Sequence, residues 1–225
     1  MPIRQDLIVA TLSAELKRAF ARSVSISRWN TYLNSAGQDE DRALRLYLWN
    51  ATVGQSFHFP LQAVEIALRN VVNEALCSQF GPDWSQDIAC RIHIGKRARD
   101  DIDKAKQRFF KKYRNPNPTT DQIVASLTFG FWATLTNPKY TSLWPVECQN
   151  AFPHVPAPLM IGDISALAES VQIFRNRIFH HEPLIRRNLS GDYGDILKLL
   201  KWICPETSKW VKDNSCVPTV IREKP

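Results

Sequence analysis

Residues 163 to 184 read DISALAESVQIFRNRIFHHEPL. On a wheel of 3.6 residues per turn, Ile164, Leu167, Ala168, Val171, Phe174 and Ile178 share one arc, with Ser165, Glu169 and Gln172 off it. That period predicts a helix from about Asp163 to His181, closed by Pro183, whose ring cannot continue it. Two features disturb the pattern. Arg175 falls inside the apolar arc, and an arginine there must snorkel or be paired, because an unpaired buried guanidinium is costly. His180 and His181 arrive together at the helix end, just before Glu182-Pro183. The helix dipole favours imidazolium at that end, and side chains placed there reach the mouth of a cleft.

Outward from this segment the chain reads as further helices. The first runs from about Gln5 to Ser23, with Leu7, Leu12, Leu16 and Phe20 at helical spacings. A second runs from about Asp39 to Val53, and a third from about Phe59 to Phe80, where Gly81-Pro82 stops it. Another spans about Gly95 to Tyr113, ahead of Asn115-Pro116-Asn117-Pro118. Thr119 with Gln122 three residues on forms a capping-box pattern, opening a helix to about Thr136. A short helix near Ser142 to Phe152 precedes a proline-rich stretch, residues 153 to 158, and one or two helices lie between about Asp192 and Lys212. Only Ile88 to Ile94 reads as a strand. The expectation is an all-α helical bundle. It is a single domain over residues 1–225, because neither half reads as able to bury its helices alone.

The helix from about Phe59 carries its own polar break. Leu61, Val64, Leu68, Val71, Val72 and Ala75 form its apolar stripe, Glu65 lies inside that stripe, and Arg69 follows one turn later at its margin. Glu65 and Arg69 could make a local pair at i,i+4. Set beside Arg175, they lead us to expect a buried polar network linking the two helices.

Composition narrows the class of function. With 225 residues, 44% hydrophobic and 23% charged, the chain needs no disulfide or metal staples to hold a core. Glycine is scarce, at 8, which disfavours turn-rich β folds and glycine-rich phosphate loops. The five cysteines (Cys77, Cys90, Cys148, Cys204, Cys216) include no CxxC pair, so free thiols in a reducing cytoplasm are expected. No apolar run approaches the roughly 20 residues of a membrane span. The N-terminal stretch is interrupted by Arg4, Gln5, Asp6 and Glu15, unlike a secretory leader. The expected location is cytoplasmic.

The net charge of +7 is concentrated. Between Lys96 and Arg114 nine basic residues face three acidic ones, so this segment carries all but one of the net positive charges. Phe109, Phe110 and Tyr113 stand among the cations. Lysines follow phosphates and aromatic faces stack on bases, so this helix is a candidate RNA contact through Lys104, Lys111 and Lys112. The bland alternative is a solvated amphipathic helix whose aromatics face the core.

In Arg175-Asn176-Arg177-Ile178-Phe179-His180-His181-Glu182-Pro183-Leu184 the sequence resembles the Abi-like (abortive infection) branch of the HEPN superfamily. It matches that family's RNR-x-x-HHEPL signature and the wider Arg-x4-6-His pattern. The resemblance extends to Arg28-Trp29-Asn30-Thr31-Tyr32-Leu33, to residues Ala43 through Asn50, to Glu65-Ile66-Ala67-Leu68-Arg69-Asn70, and to Leu127-Thr128-Phe129-Gly130-Phe131-Trp132. It implies a HEPN-like bundle, often dimeric, that cleaves RNA without metal or cofactor as a phage-defence or toxin-type effector. Arg175 and His180 take the catalytic positions, and Asn176 the polar position after the arginine. Glu65, Arg69 and Asn70 take the supporting polar cluster. His181 also satisfies the Arg-x4-6-His pattern, and the residues do not decide between the two histidines.

Metal-free RNA cleavage uses the 2′-hydroxyl as nucleophile, with a proton acceptor for it, a donor for the leaving 5′-oxygen, and positive charge for the phosphorane. Imidazole accepts or donates protons near neutrality, and guanidinium offers a permanent planar charge. One Arg–His pair is thin for both acid and base, which leads to the expectation of a homodimer with a composite site. RNA is the expected partner, with a cognate antitoxin or a phage trigger beyond it. The alternative is a non-catalytic RNA-binding or sensor protein on the same scaffold. A third is a protein-interaction module acting on another toxin.

Overall fold

The structure, a computed structural model, describes residues 13–114, 116–144, 150–158 and 160–225. Among these the chain is all-α, with eleven α-helices and no strand. They are α1 (Ala14–Ser23), α2 (Ile26–Ser35), α3 (Glu40–Phe80), α4 (Ile88–His93), α5 (Gly95–Tyr113), α6 (Thr120–Ser126), α7 (Phe129–Leu135), α8 (Ile161–Phe179), α9 (Leu189–Ile203), α10 (Pro205–Asp213) and α11 (Val217–Arg222), with a 3-10 turn over Pro138–Leu143.

Local signals set several boundaries. Ser13 caps α1 by accepting from the Leu16 amide, so the helix begins there; Leu7 and Leu12 lie outside the described residues. α5 spans the residues its pattern predicts, ending on Arg114 in the left-handed region at φ 55°. The Thr119–Gln122 capping box is present in both directions. Asp87 accepts from the Cys90 amide at 2.7 Å and starts α4 where the isoleucines read as a strand.

Tertiary packing overrides other signals. The two helices expected over about Asp39–Val53 and Phe59–Phe80 are one continuous helix, with Pro60 inside it. Pro60 forfeits a backbone bond, but Phe57 and Leu61 beside it are buried, and their packing holds the helix through the break. Conversely, the helix expected from Thr119 to Thr136 splits at Leu127, which is extended at φ −79° and ψ 148°. α2 and α11 are not foreseen in the sequence. The helix expected near Ser142 to Phe152 falls in part on residues 145–149, outside those described, as does Cys148; the other four cysteines are free.

The described residues divide into two compact units. The first comprises the described residues through Pro60, then Phe174–Gly194 and Asn214–Pro225. The second comprises those of Leu61–Ile173 and Asp195–Asp213. The division falls inside α3 and inside α8, not at the proline-rich stretch. In the first unit Trp29, Tyr32, Leu44, Leu46 and Ile185 form a core, with Phe20 edge-on to Trp29 and Tyr47. Phe57 packs edge-on against Phe174, ring centroids 4.7 Å apart. The Trp49 indole donates to the Val220 carbonyl at 2.8 Å and pins α11.

The second unit centres on Trp84, Phe131 and Trp132, all buried. The Trp84 indole donates to Asn73 at 2.9 Å. A side chain at Gly130 would press against the Gln172 amide, at 2.8 Å, so this position requires a glycine or a displaced Gln172. The Leu127-to-Trp132 motif is therefore a packing element.

Candidate functional site

The end of α8 is built by backbone geometry. The His181 amide donates to the Ile178 carbonyl at 3.0 Å, and the Glu182 amide to the Arg177 carbonyl at 2.9 Å. This is the paired closure of a Schellman motif, with His181 in the left-handed position at φ 55°. Glycine normally occupies that position; histidine tolerates it better than most residues. The apolar contact that usually seals the motif is replaced by Arg177 and Glu182, 3.7 Å apart.

Two side chains from elsewhere in the first unit fasten this turn. Arg28 on α2 donates from a guanidinium nitrogen to the His181 carbonyl at 2.8 Å. Asn50 on α3 works in both directions: its Oδ1 accepts from the Leu184 amide at 2.6 Å, and its Nδ2 donates to the Glu182 carbonyl at 3.4 Å. The motifs around Arg28 and Asn50 thus act by positioning the His-His-Glu-Pro turn.

Beside the turn lies a cavity of about 1070 Å³, lined wholly by residues of the first unit. Arg28, His58, Phe179, His181 and Glu182 are on its wall. His181 lines it and His180 does not. Both histidines are exposed. Arg175 is half-buried, and its guanidinium stacks over the Phe179 ring, 4.1 Å from the centroid. Asn176 is half-buried one residue on, and its carbonyl accepts from the His180 amide at 2.9 Å. Tyr32 also faces the cavity; burial, and secondarily the neighbouring Tyr47, pushes its phenol up to about 12. His58 lines the cavity too, from an exposed helix face and outside every motif of the sequence, as does Glu223 next to α11.

The other residues singled out from the sequence belong to the second unit. Glu65 and Arg69 are half-buried and Asn70 is exposed on the continuation of α3, where Arg69 Nε donates to Asn70 Oδ1 at 3.5 Å. On α5 only Ala98, Ile102 and Ala105 are buried. Phe110 and Tyr113 are 45% and 56% exposed, so these two aromatics do not face the core. Lys111 and Lys112 are exposed, and Lys112 lies 4.9 Å over the Tyr113 ring. Lys104 is exposed and 3.4 Å from Asp101. Among the described residues no three His, Cys, Asp or Glu side chains gather as a metal-ion site, and no helix is long and apolar enough to cross a membrane.

Comparison with protein-family models, with curated proteins and with solved structures yields no match to this chain.

Proposed function

We propose that this chain is a metal-independent endoribonuclease that cleaves single-stranded RNA at the cavity of the first unit, as an abortive-infection or toxin-type effector. The observation that carries this is the convergence on one cavity of His181, on a turn fastened by Arg28 and Asn50, and of the Phe179 ring that bears Arg175. His181 supplies proton transfer, and Arg175 supplies permanent charge for the phosphorane. Asn176 and His180 support the helix end, and Glu65, Arg69 and Asn70 form a polar cluster on α3. The basic face of α5, with Lys104, Lys111 and Lys112, attracts the phosphate chain.

The test is cleavage of a single-stranded RNA by the purified chain in excess EDTA. The expected products carry 2′,3′-cyclic phosphate and 5′-hydroxyl ends, and Arg175→Ala and His181→Ala abolish them while the thermal unfolding curve is kept. Activity that vanishes with EDTA and returns with Mg²⁺ overturns the metal-free reading. A second reading, RNA binding without cleavage, is favoured by the exposed Phe110 and Tyr113 among the cations of α5. Tight binding with no product in the same assay selects it.

A further inference from the structure

We propose that His58 is the second proton-transfer group of this site, so that a single chain supplies both acid and base; this rests on the endoribonuclease reading above. Asn50, Gly54 and His58 recur every four residues on α3 and so share one face. All three line the cavity. Asn50 holds the Glu182–Leu184 turn. One turn on, a side chain at Gly54 would meet Ile178 at 3.8 Å. A further turn on, Phe57 packs on Phe174, the residue before Arg175. α3 and α8 therefore pass one another in opposite directions here, and His58 stands beyond the Gly54–Ile178 level, about 12 Å of helix rise from Asn50. Along the cavity wall the order is His181 at the turn, the Phe179 ring on which Arg175 stacks, then His58.

That order suits in-line phosphoryl transfer. The attacking 2′-oxygen and the leaving 5′-oxygen lie on opposite sides of the phosphorus, so acid and base belong at opposite ends, with positive charge between them. One imidazole takes the 2′-hydroxyl proton as the 2′-oxygen bonds to phosphorus. The P–O5′ bond breaks, and the other imidazolium gives its proton to the 5′-oxygen. The products are a 2′,3′-cyclic phosphate and a 5′-hydroxyl, with the two histidines left in exchanged protonation states, reset by solvent.

Other ionisable groups face the same space: Arg28 and Tyr32 from α2, Tyr47 from α3, Glu182 from the turn, and Cys216 and Glu223 flanking α11. The two glutamates are the competing proton-transfer groups. The test is kcat/KM against pH on a single-stranded oligoribonucleotide for wild type, His58→Gln, His181→Gln, Glu182→Gln and Glu223→Gln. The expected wild-type profile is a bell. His58→Gln should remove one limb and lower the rate roughly 10²–10⁴-fold; His58 is exposed, so the fold should survive. A His58→Gln enzyme that keeps both limbs overturns the proposal, as does loss of a limb with Glu182→Gln or Glu223→Gln instead. Mixed oligomers of His58→Gln and His181→Gln chains should stay inactive, and recovered activity would mean that the pair acts between chains. If wild type cleaves no RNA, the endoribonuclease reading fails by itself. The cavity is then tested with uridine 3′-monophosphate by imidazole proton NMR. Joint movement of the His58 and His181 resonances, with His93 and His154 still, keeps the pair as a nucleotide-phosphate site. No movement overturns it.

Discussion

Arg28 donates to the backbone carbonyl of His181 at 2.8 Å, across 153 residues of sequence. The bond restrains the residue in the turn whose backbone is least comfortable. Removing it with Arg28→Ala should cost about 1 kcal/mol in urea unfolding, the usual net worth of one hydrogen bond. RNA cleavage should fall further than that loss explains, because the His181 imidazole is no longer held against the cavity. A variant with wild-type turnover would mean that the turn holds its shape without Arg28.

Asn50 is the stronger fastening. Leu184 is buried, and Asn50→Ala leaves its amide without the Oδ1 acceptor. The expected destabilisation is about 1–3 kcal/mol, read as a shifted urea midpoint at constant slope. Asn50→Asp keeps the acceptor and should recover part of the loss.

His181→Gly separates stability from chemistry. Glycine adopts φ 55° without the clash a β-carbon brings, so the variant should be at least as stable as wild type, by up to about 1 kcal/mol. Its RNA cleavage should nonetheless drop by roughly 10²–10⁴-fold. Equal activity in this variant would remove His181 from the reaction.

Binding should follow α5. Neutralising Lys104, Lys111 and Lys112 together should weaken RNA affinity. For every phosphate these lysines no longer neutralise, the log–log salt dependence should flatten by roughly 0.7. Turnover at saturating RNA should be kept, whereas Arg175→Ala should do the reverse. Unchanged affinity and salt slope in the triple variant would reduce α5 to a solvated face.

The homodimer implied by the family resemblance should appear as two chains per particle in light scattering. With His58 and His181 on one chain, dilution to monomers should leave turnover per chain unchanged. Turnover that disappears with the dimer would return the site to a composite one.

Much of this is legible in the residues because the signals are local. The limits of α5, the Thr119–Gln122 cap and the helix end before Glu182-Pro183 each depend on neighbours within about one turn, where backbone bonding and side-chain caps decide. Arg175 and His181 stand out for the same reason, since a guanidinium in an apolar arc and a histidine pair at a helix end are visible in one dimension.

What only the tertiary structure decided are outcomes that depend on packing between distant residues. Two helices, about Asp39–Val53 and Phe59–Phe80, are expected from the residues, yet α3 runs through both and through Pro60, with Phe57 and Leu61 buried on either side of it. Leu127 reads as helix, yet the chain turns there. Between His180 and His181, the choice of which faces the cavity follows from the left-handed backbone at His181 and its ties to Arg28 and Asn50. His58 joins them on the cavity because α8 returns along α3, a juxtaposition no local pattern encodes. Local bonding fixes where helices start and stop; burial of faces against distant partners fixes which helices persist and which side chains meet.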